Sequence, residues 1–157
     1  MGLPKCKLLL PLVISLTLSA ADNTSMFQIR RVAPTPGDGA DQLAFVTADG
    51  QNMTLPVRKE PLLDLSDVES ASVTPKSVTA GDPQVRIWLT LNGRARLGAF
   101  TEQAVHQRIA VVIEGKIWAA PVIQAKITGP YLPIQAHITD QQAQELAARI
   151  NAAVKRQ

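Results

Sequence analysis

Two apolar runs joined by a two-residue turn, between residues 109 and 123, constrain the fold of this chain more than any other feature. The first run, Ile109–Ile113, is continuous and ends at Glu114 and Gly115. Residues 116–123 form the second run, and this arrangement predicts an antiparallel hairpin. Because Pro121 lacks an amide donor, we expect it at a sheet edge or beyond the pairing.

The region before this hairpin predicts further short strands. Extended segments are expected over residues 26–32 and 43–48, with a loop rich in proline, glycine and aspartate between them. A tight turn at Asp49-Gly50 then makes residues 43–57 a second candidate hairpin.

The middle of the chain combines a short helical pattern with a strand and a longer helix. Residues 62–70 predict the short helix, with Asp64 or Ser66 as its cap. Residues 84–91 alternate apolar and polar side chains, as a strand with one face on a core does. Asn92 fits the N-cap of the helix that follows. The apolar stripe expected on that helix is Leu97, Phe100, Ala104 and Val105.

The C-terminal part predicts one more strand and a well-defined helix. The strand is expected over residues 134–138. Thr139 and Gln142 form a capping box at the start of the helix. Its apolar stripe is Ala143, Leu146, Ala147, Ile150 and Val154. The expected fold class is therefore α+β, with two principal helices packed on a mainly antiparallel sheet, because the connections are too short for parallel crossovers.

Residues 1–21 have the three parts of a cleaved signal peptide. Lys5 and Lys7 precede an apolar stretch at 8–18, which is too short to span a bilayer, and small residues follow it. An uncleaved anchor is the alternative. Cleavage removes two of the 16 basic residues, so the charge falls from +3 to 14 − 13, or +1. We expect an exported bacterial protein, periplasmic or secreted, with no membrane span after cleavage.

The sequence lacks the residue patterns that are typical of several kinds of catalytic and binding site. The two histidines, His106 and His137, lie in different elements with no metal-ligand spacing. No glycine-rich phosphate loop is present, and the basic residues are scattered, which argues against nucleic acid. Glu114 is the one acid within an apolar stretch, and its turn position favours a solvated role. We therefore assign no catalytic, cofactor-binding or metal-binding residue.

Three residues are candidates for binding a partner. Trp88 is expected on the polar face of its strand, and Trp118 follows the hairpin turn. Exposed tryptophans anchor partners in many interfaces, whereas packing in a core or at an edge is the alternative. Pro121 joins them because an exposed strand edge there would accept an extended segment of another chain.

Residues 55–151 resemble the head subdomain of the first periplasmic domain of SecD, the protein-export membrane subunit. The matching motifs are Leu55 to Leu62 with its Lys-Glu-Pro, Leu91-Asn92-Gly93, the hairpin from Arg108 to Ile117 with Ala120-Pro121, Ile127-Thr128-Gly129, and Thr139 to Asn151. His106 stands where the family usually has glycine, which is consistent with a left-handed helix end. The chain ends at Gln157, whereas a full SecD continues into the transmembrane helices that carry its proton-coupled work.

The resemblance implies a stand-alone head module, divided into a leader at 1–21, an N-terminal extension at 22–54 and a head-like domain at 55–157. It implies a non-catalytic role in protein export, in which the module binds unfolded or emerging polypeptide or a Sec-type envelope protein. A structural or oligomerising envelope protein is the first alternative. An enzyme of unrecognised type, with Glu114, His106 or His137 together in a pocket, is the second.

Overall fold

The structure, a computed structural model, describes residues 26–37, 39–47, 50–75, 82–135 and 138–157. The signal peptide expected over residues 1–21 lies outside these ranges. The strands and helices are β1 Phe27–Val32, β2 Ala40–Val46, β3 Asn52–Asp64, β4 Val68–Thr74, β5 Gln84–Leu89, α1 Leu91–Gln103, β6 Ile109–Ile113, β7 Lys116–Ala119, β8 Tyr131–Gln135 and α2 Asp140–Val154. No helix in these ranges is long and apolar enough to cross a membrane.

Five of the strands close into a small barrel in the order β1-β3-β2-β7-β6. The two hairpins predicted from sequence, β2–β3 and β6–β7, are both present and antiparallel. The barrel closes where β2 meets β7 in parallel at Phe45 and Ile117. The α+β class is confirmed, but the sheet is not simply antiparallel. The division expected at residue 54 falls within β3 and stays a prediction.

The remaining strands form a three-stranded antiparallel sheet in the order β4-β5-β8. Helix α2 packs against β4 and β5, and its stripe of Ala143, Leu146, Ala147 and Ile150 is buried. The predicted capping box is present, since the Gln142 amide donates to the Thr139 hydroxyl at 3.2 Å and Gln142 Oε1 accepts from the Thr139 amide at 2.9 Å.

All five residues of β6 are buried, because the strand separates two cores. Ile109, Val111 and Ile113 belong to the main core, which the sheet and both helices share. Ala110 and Val112 belong to a smaller cluster that draws residues from every barrel strand and fills the barrel interior. A continuous apolar run is what a strand buried on both faces requires.

The prediction of a short helix over residues 62–70 is wrong. Leu63 and Asp64 end β3 and pair with Ile29 and Gln28 of β1, a tertiary pairing that overrides the local helical pattern. Only the 3₁₀ turn Leu65–Asp67 remains, and β4 starts directly after it. Asp64 does cap this turn, since its Oδ1 accepts from the Ser66 amide at 2.8 Å.

One residue, Thr90, separates β5 from helix α1, and Thr90 rather than Asn92 is the N-cap of the helix. The Thr90 hydroxyl accepts from the Gly93 amide at 3.1 Å. Leu91 is therefore not a strand residue, and it is 77% exposed at the start of the helix. Past the helix end, His106 adopts φ 68°, which confirms the left-handed residue expected there.

Two strand boundaries also differ from the sequence prediction. The last strand is Tyr131–Gln135 rather than 134–138, because pairing with β5 starts at Tyr131 opposite Trp88. Ala136 and His137 lie outside the described ranges. Strand β7 stops at Ala119, before the proline that lacks an amide donor.

Candidate functional site

The three-stranded sheet has one face on the main core and one face turned away from it. Val85, Ile87 and Leu89 of β5 are buried on the core side. Arg86 and Trp88 alternate with them and lie on the opposite side, as the sequence pattern predicted. We call that side of the sheet the outer face.

Trp88 contacts both neighbouring strands on the outer face. It lies directly opposite Tyr131 of β8, with ring centroids 5.0 Å apart and ring planes tilted by 54°. Its Nε1 donates to the Ser72 hydroxyl of β4 at 2.9 Å. The Arg86 guanidinium lies over the Tyr131 ring, 5.0 Å from its centroid. We call Arg86, Trp88 and Tyr131 the outer aromatic cluster.

The outer aromatic cluster is held in place before any partner arrives. Tilted ring pairs and cations over rings are favourable geometries, and the indole N–H already has its acceptor. Each member is only half-buried, so ring surface remains available beside a positive charge. Rigid aromatic side chains lose little conformational freedom on binding, which makes such a surface suited to apolar and aromatic side chains.

Both edges of this sheet are unfavourable for adding another strand. At β4, the Asn151 side chain of α2 donates to the Ala71 carbonyl at 2.9 Å and accepts from its amide at 2.7 Å. At β8, Pro133 lacks an amide hydrogen, as is common for proline in edge strands. An added strand needs these main-chain groups, so the outer face offers more to a partner than the edges do.

The other two candidate residues lie on barrel strand β7 or just beyond its end, rather than in this sheet. Trp118 is on β7, half-buried against the main core. Pro121 is exposed beyond the end of β7, and its carbonyl accepts from the Ile109 amide at 3.1 Å. Strand β7 itself is enclosed between β6 and β2. In the described part of the chain, the Trp88–Tyr131 pair is the one aromatic ring contact.

The residues considered for an enzyme alternative are not brought together where they are described. His106 precedes β6 and Glu114 follows it, so they lie at opposite ends of that strand. Glu114 pairs instead with Arg149 at 2.9 Å. His137 lies outside the described ranges. Within those ranges, no group of three histidine, cysteine or acidic residues is placed to hold a metal ion.

Sequence reasoning missed Tyr131 and Ser72 as neighbours of Trp88. The period of two in β5 did indicate that Arg86 and Trp88 share a face. Finding Tyr131 required the register of β8, whose start was predicted three residues too late. Finding Ser72 required the position of β4, whose first residues fall within the short helix predicted from the sequence.

A small closed barrel, a three-stranded sheet and two helices define an α+β module with a polar and aromatic outer face. The family model "SecDF, P1 head subdomain" matches residues 41–154, so the chain belongs to the family of SecDF P1 head subdomains. The resemblance seen in the sequence motifs is thereby confirmed.

Individual relatives give the same assignment. The protein translocase subunit SecD of Aquifex aeolicus is 33% identical over 107 residues, covering 68% of this chain and 21% of that protein. The SecD of Magnetococcus marinus is 30% identical over 96 residues, covering 61% of this chain and 18% of that protein. The chain thus spans about a fifth of the length of these relatives.

Solved structures of SecDF share the fold. One, described as a membrane component that enhances protein export, superposes with a TM-score of 0.61 at 21% identity, covering 80% of this chain and 61% of that chain. The super-membrane-facing form of SecDF gives a TM-score of 0.62 at 20% identity, covering 80% of this chain and 18% of that chain.

Proposed function

We propose that this chain is a periplasmic, non-catalytic head module of protein export that binds translocated polypeptide before it folds. Its membership of the SecDF P1 head family supports this proposal. Relatives are named as protein translocase subunits, and a SecDF of the same fold is described as enhancing protein export. Export to the periplasm through the leader at 1–21 is part of the proposal.

The observation that carries the proposal is the outer aromatic cluster. Trp88 and Tyr131 form a fixed ring pair on a sheet face that lies away from the main core, with Arg86 at its border. An unfolded chain exposes apolar and aromatic side chains, and tryptophan, tyrosine and arginine are the residues that most often dominate binding energy. We place the polypeptide on this outer face and treat Trp118 and Pro121 as a second contact in the barrel.

The proposal is tested by titrating the purified protein with a labelled unfolded polypeptide that is rich in aliphatic residues and carries no net charge. We expect Trp88→Ala to weaken binding at least about tenfold, because truncating a central aromatic contact commonly costs that much. Tyr131→Ala should weaken it as well, since it removes the ring against which Trp88 packs. Trp118→Ala is the matched control, and we expect a smaller effect from it.

Thermal unfolding of each variant separates loss of binding from loss of the fold. A folded Trp88→Ala protein that binds as tightly as the unmodified protein would contradict the outer-face assignment. Loss of binding with Trp118→Ala alone would move the contact to the barrel. A protein that binds no unfolded chain and forms a defined oligomer by light scattering would support the structural alternative instead.

A further inference from the structure

A cleft of about 680 Å³ opens between the barrel and α1, and none of its lining residues belongs to the outer aromatic cluster. Strands β1 and β3 form one side of it, and Arg96 of α1 contributes to the other. Its charged and rim residues are Arg31, Arg58, Lys59, Glu60, Pro61 and Arg96. Lys59-Glu60-Pro61 is the motif that the sequence shares with the SecD head, and the proposed outer-face contact does not use it.

An irregularity in β3 creates this side of the cleft. The partner of Arg30 is Pro61, whereas the partner of Val32 is Val57, so three residues of β3 face one residue of β1. Such a bulge bends the strand and redirects its side chains. The Lys59 amide donates to the Gly39 carbonyl at 3.0 Å, which fixes the bulged segment against the start of β2.

The cleft carries more positive charge than its own residues neutralise. Arg96 pairs with the buried Asp67 carboxylate at 2.7 Å and also donates to the Leu62 carbonyl at 2.7 Å. Arg31 lies over the Phe100 ring, 4.7 Å from its centroid. In the part of the chain that the structure describes, no ion pair is formed by Arg31, Arg58 or Lys59. Unpaired cations gathered in a concave site repel one another and attract an anionic ligand.

We propose that this cleft binds the carboxylates of an acidic polypeptide segment. Arginine guanidinium groups match the planar carboxylate with two parallel hydrogen bonds, and lysine adds a compact charge. The cations line a recess rather than a flat patch, so a side chain reaches them more readily than the headgroup plane of a bilayer does. This inference does not rest on the proposed function, because it uses a different surface of the molecule.

The test measures binding of a short labelled peptide of alternating glutamate and serine to the purified protein. We expect the double variant Arg58→Gln, Lys59→Gln to weaken binding at least about tenfold, and added salt to weaken binding to the unmodified protein. Lys116→Gln is the matched control, because Lys116 is an exposed cation outside the cleft. Lys116 pairs with Ile113 at one end of β6, whereas the cleft residue Arg31 pairs with Ile109 at the other end. Trp88→Ala should leave this binding unchanged, which separates the two surfaces.

Three results would overturn the inference. The first is equal binding by the double variant and by the Lys116→Gln control, with unfolding midpoints that match the unmodified protein. The second is equal binding of a glutamine–serine peptide of the same length, which carries no carboxylates. The third is binding of anionic lipid vesicles that depends on Arg58 and Lys59 while the acidic peptide does not bind, which would identify a membrane surface instead.

Discussion

Asn151 occupies the edge of β4 in the way that a neighbouring strand would. Its side-chain amide both donates to the Ala71 carbonyl and accepts from the Ala71 amide, at 2.9 and 2.7 Å. Ala71 is buried, so these main-chain groups have little access to water. A helix side chain thus satisfies the edge and blocks pairing with another chain at this point.

We predict that Asn151→Ala lowers the free energy of unfolding by about 1–3 kcal/mol, because it leaves a buried donor and acceptor without partners. Asn92→Ala is the control, because Asn92 is an exposed asparagine in a helix. Replacing either asparagine by alanine raises helix propensity by the same amount, so the difference between the variants reports the lost hydrogen bonds. Urea unfolding of both variants measures the difference. Equal stability of the two variants would show that the Asn151 bonds contribute nothing.

Single residues also show where local sequence signals succeed and fail. The left-handed conformation of His106 is expected because the SecD head usually has glycine at this position, and His106 does adopt φ 68°. Thr90 and Asn92 are both good N-cap residues, so the sequence alone does not choose between them. The choice is tertiary: the Thr90 amide donates to the Asp67 carbonyl at 2.9 Å, which fixes where β5 ends and α1 begins.

Helix α1 packs closely against the 3₁₀ turn Leu65–Asp67 at Gly93. A Cβ atom at this position would lie 2.7 Å from the Asp67 carbonyl oxygen and 2.9 Å from the Asp67 Cβ. The Arg96–Asp67 ion pair joins the same two elements one turn further along. Glycine is therefore required at Gly93 by packing, even though it lowers helix propensity.

We predict that Gly93→Ala lowers the free energy of unfolding by about 1–3 kcal/mol, because helix and turn must separate to make room. Gly98→Ala is the matched change in the same helix, where the nearest atom to a new Cβ is the Ile127 carbonyl oxygen at 3.4 Å. There the gain in helix propensity, about 1 kcal/mol, offsets most of the crowding. Similar losses for both variants by thermal unfolding would refute the close-packing argument.

At the scale of elements, a signal within one segment predicts the structure correctly unless a pairing with a distant segment overrides it. The β6–β7 hairpin and the α2 capping box follow from residues close in sequence, and both are present. The helix expected over residues 62–70 is absent because β1 pairs with the end of β3. Barrel closure between Phe45 and Ile117 joins distant segments, for which no local pattern gives a signal.

The whole molecule carries two surfaces of different chemistry on its two sheets. The outer aromatic cluster lies on the three-stranded sheet, and the cationic cleft lies beside the barrel. Of these, Trp88 was predicted as a contact from its polar-face position, whereas the cleft depends on the bulge in β3, which the sequence does not reveal. The Lys-Glu-Pro motif lines the cleft, but in the sequence it supports only the resemblance to the SecD head and predicts no cleft.

The most direct test of the outer-face contact is a nuclear magnetic resonance titration that follows the indole N–H signals of the chain's two tryptophans. The uncharged unfolded polypeptide is added to the ¹⁵N-labelled protein, with Trp88→Phe used to assign the two signals. We predict that the Trp88 signal and the main-chain amides of Arg86 and Tyr131 shift, and that the Trp118 signal, at the second contact, shifts less. A shift of the Trp118 signal alone, or of neither tryptophan under conditions that saturate binding, would contradict the account.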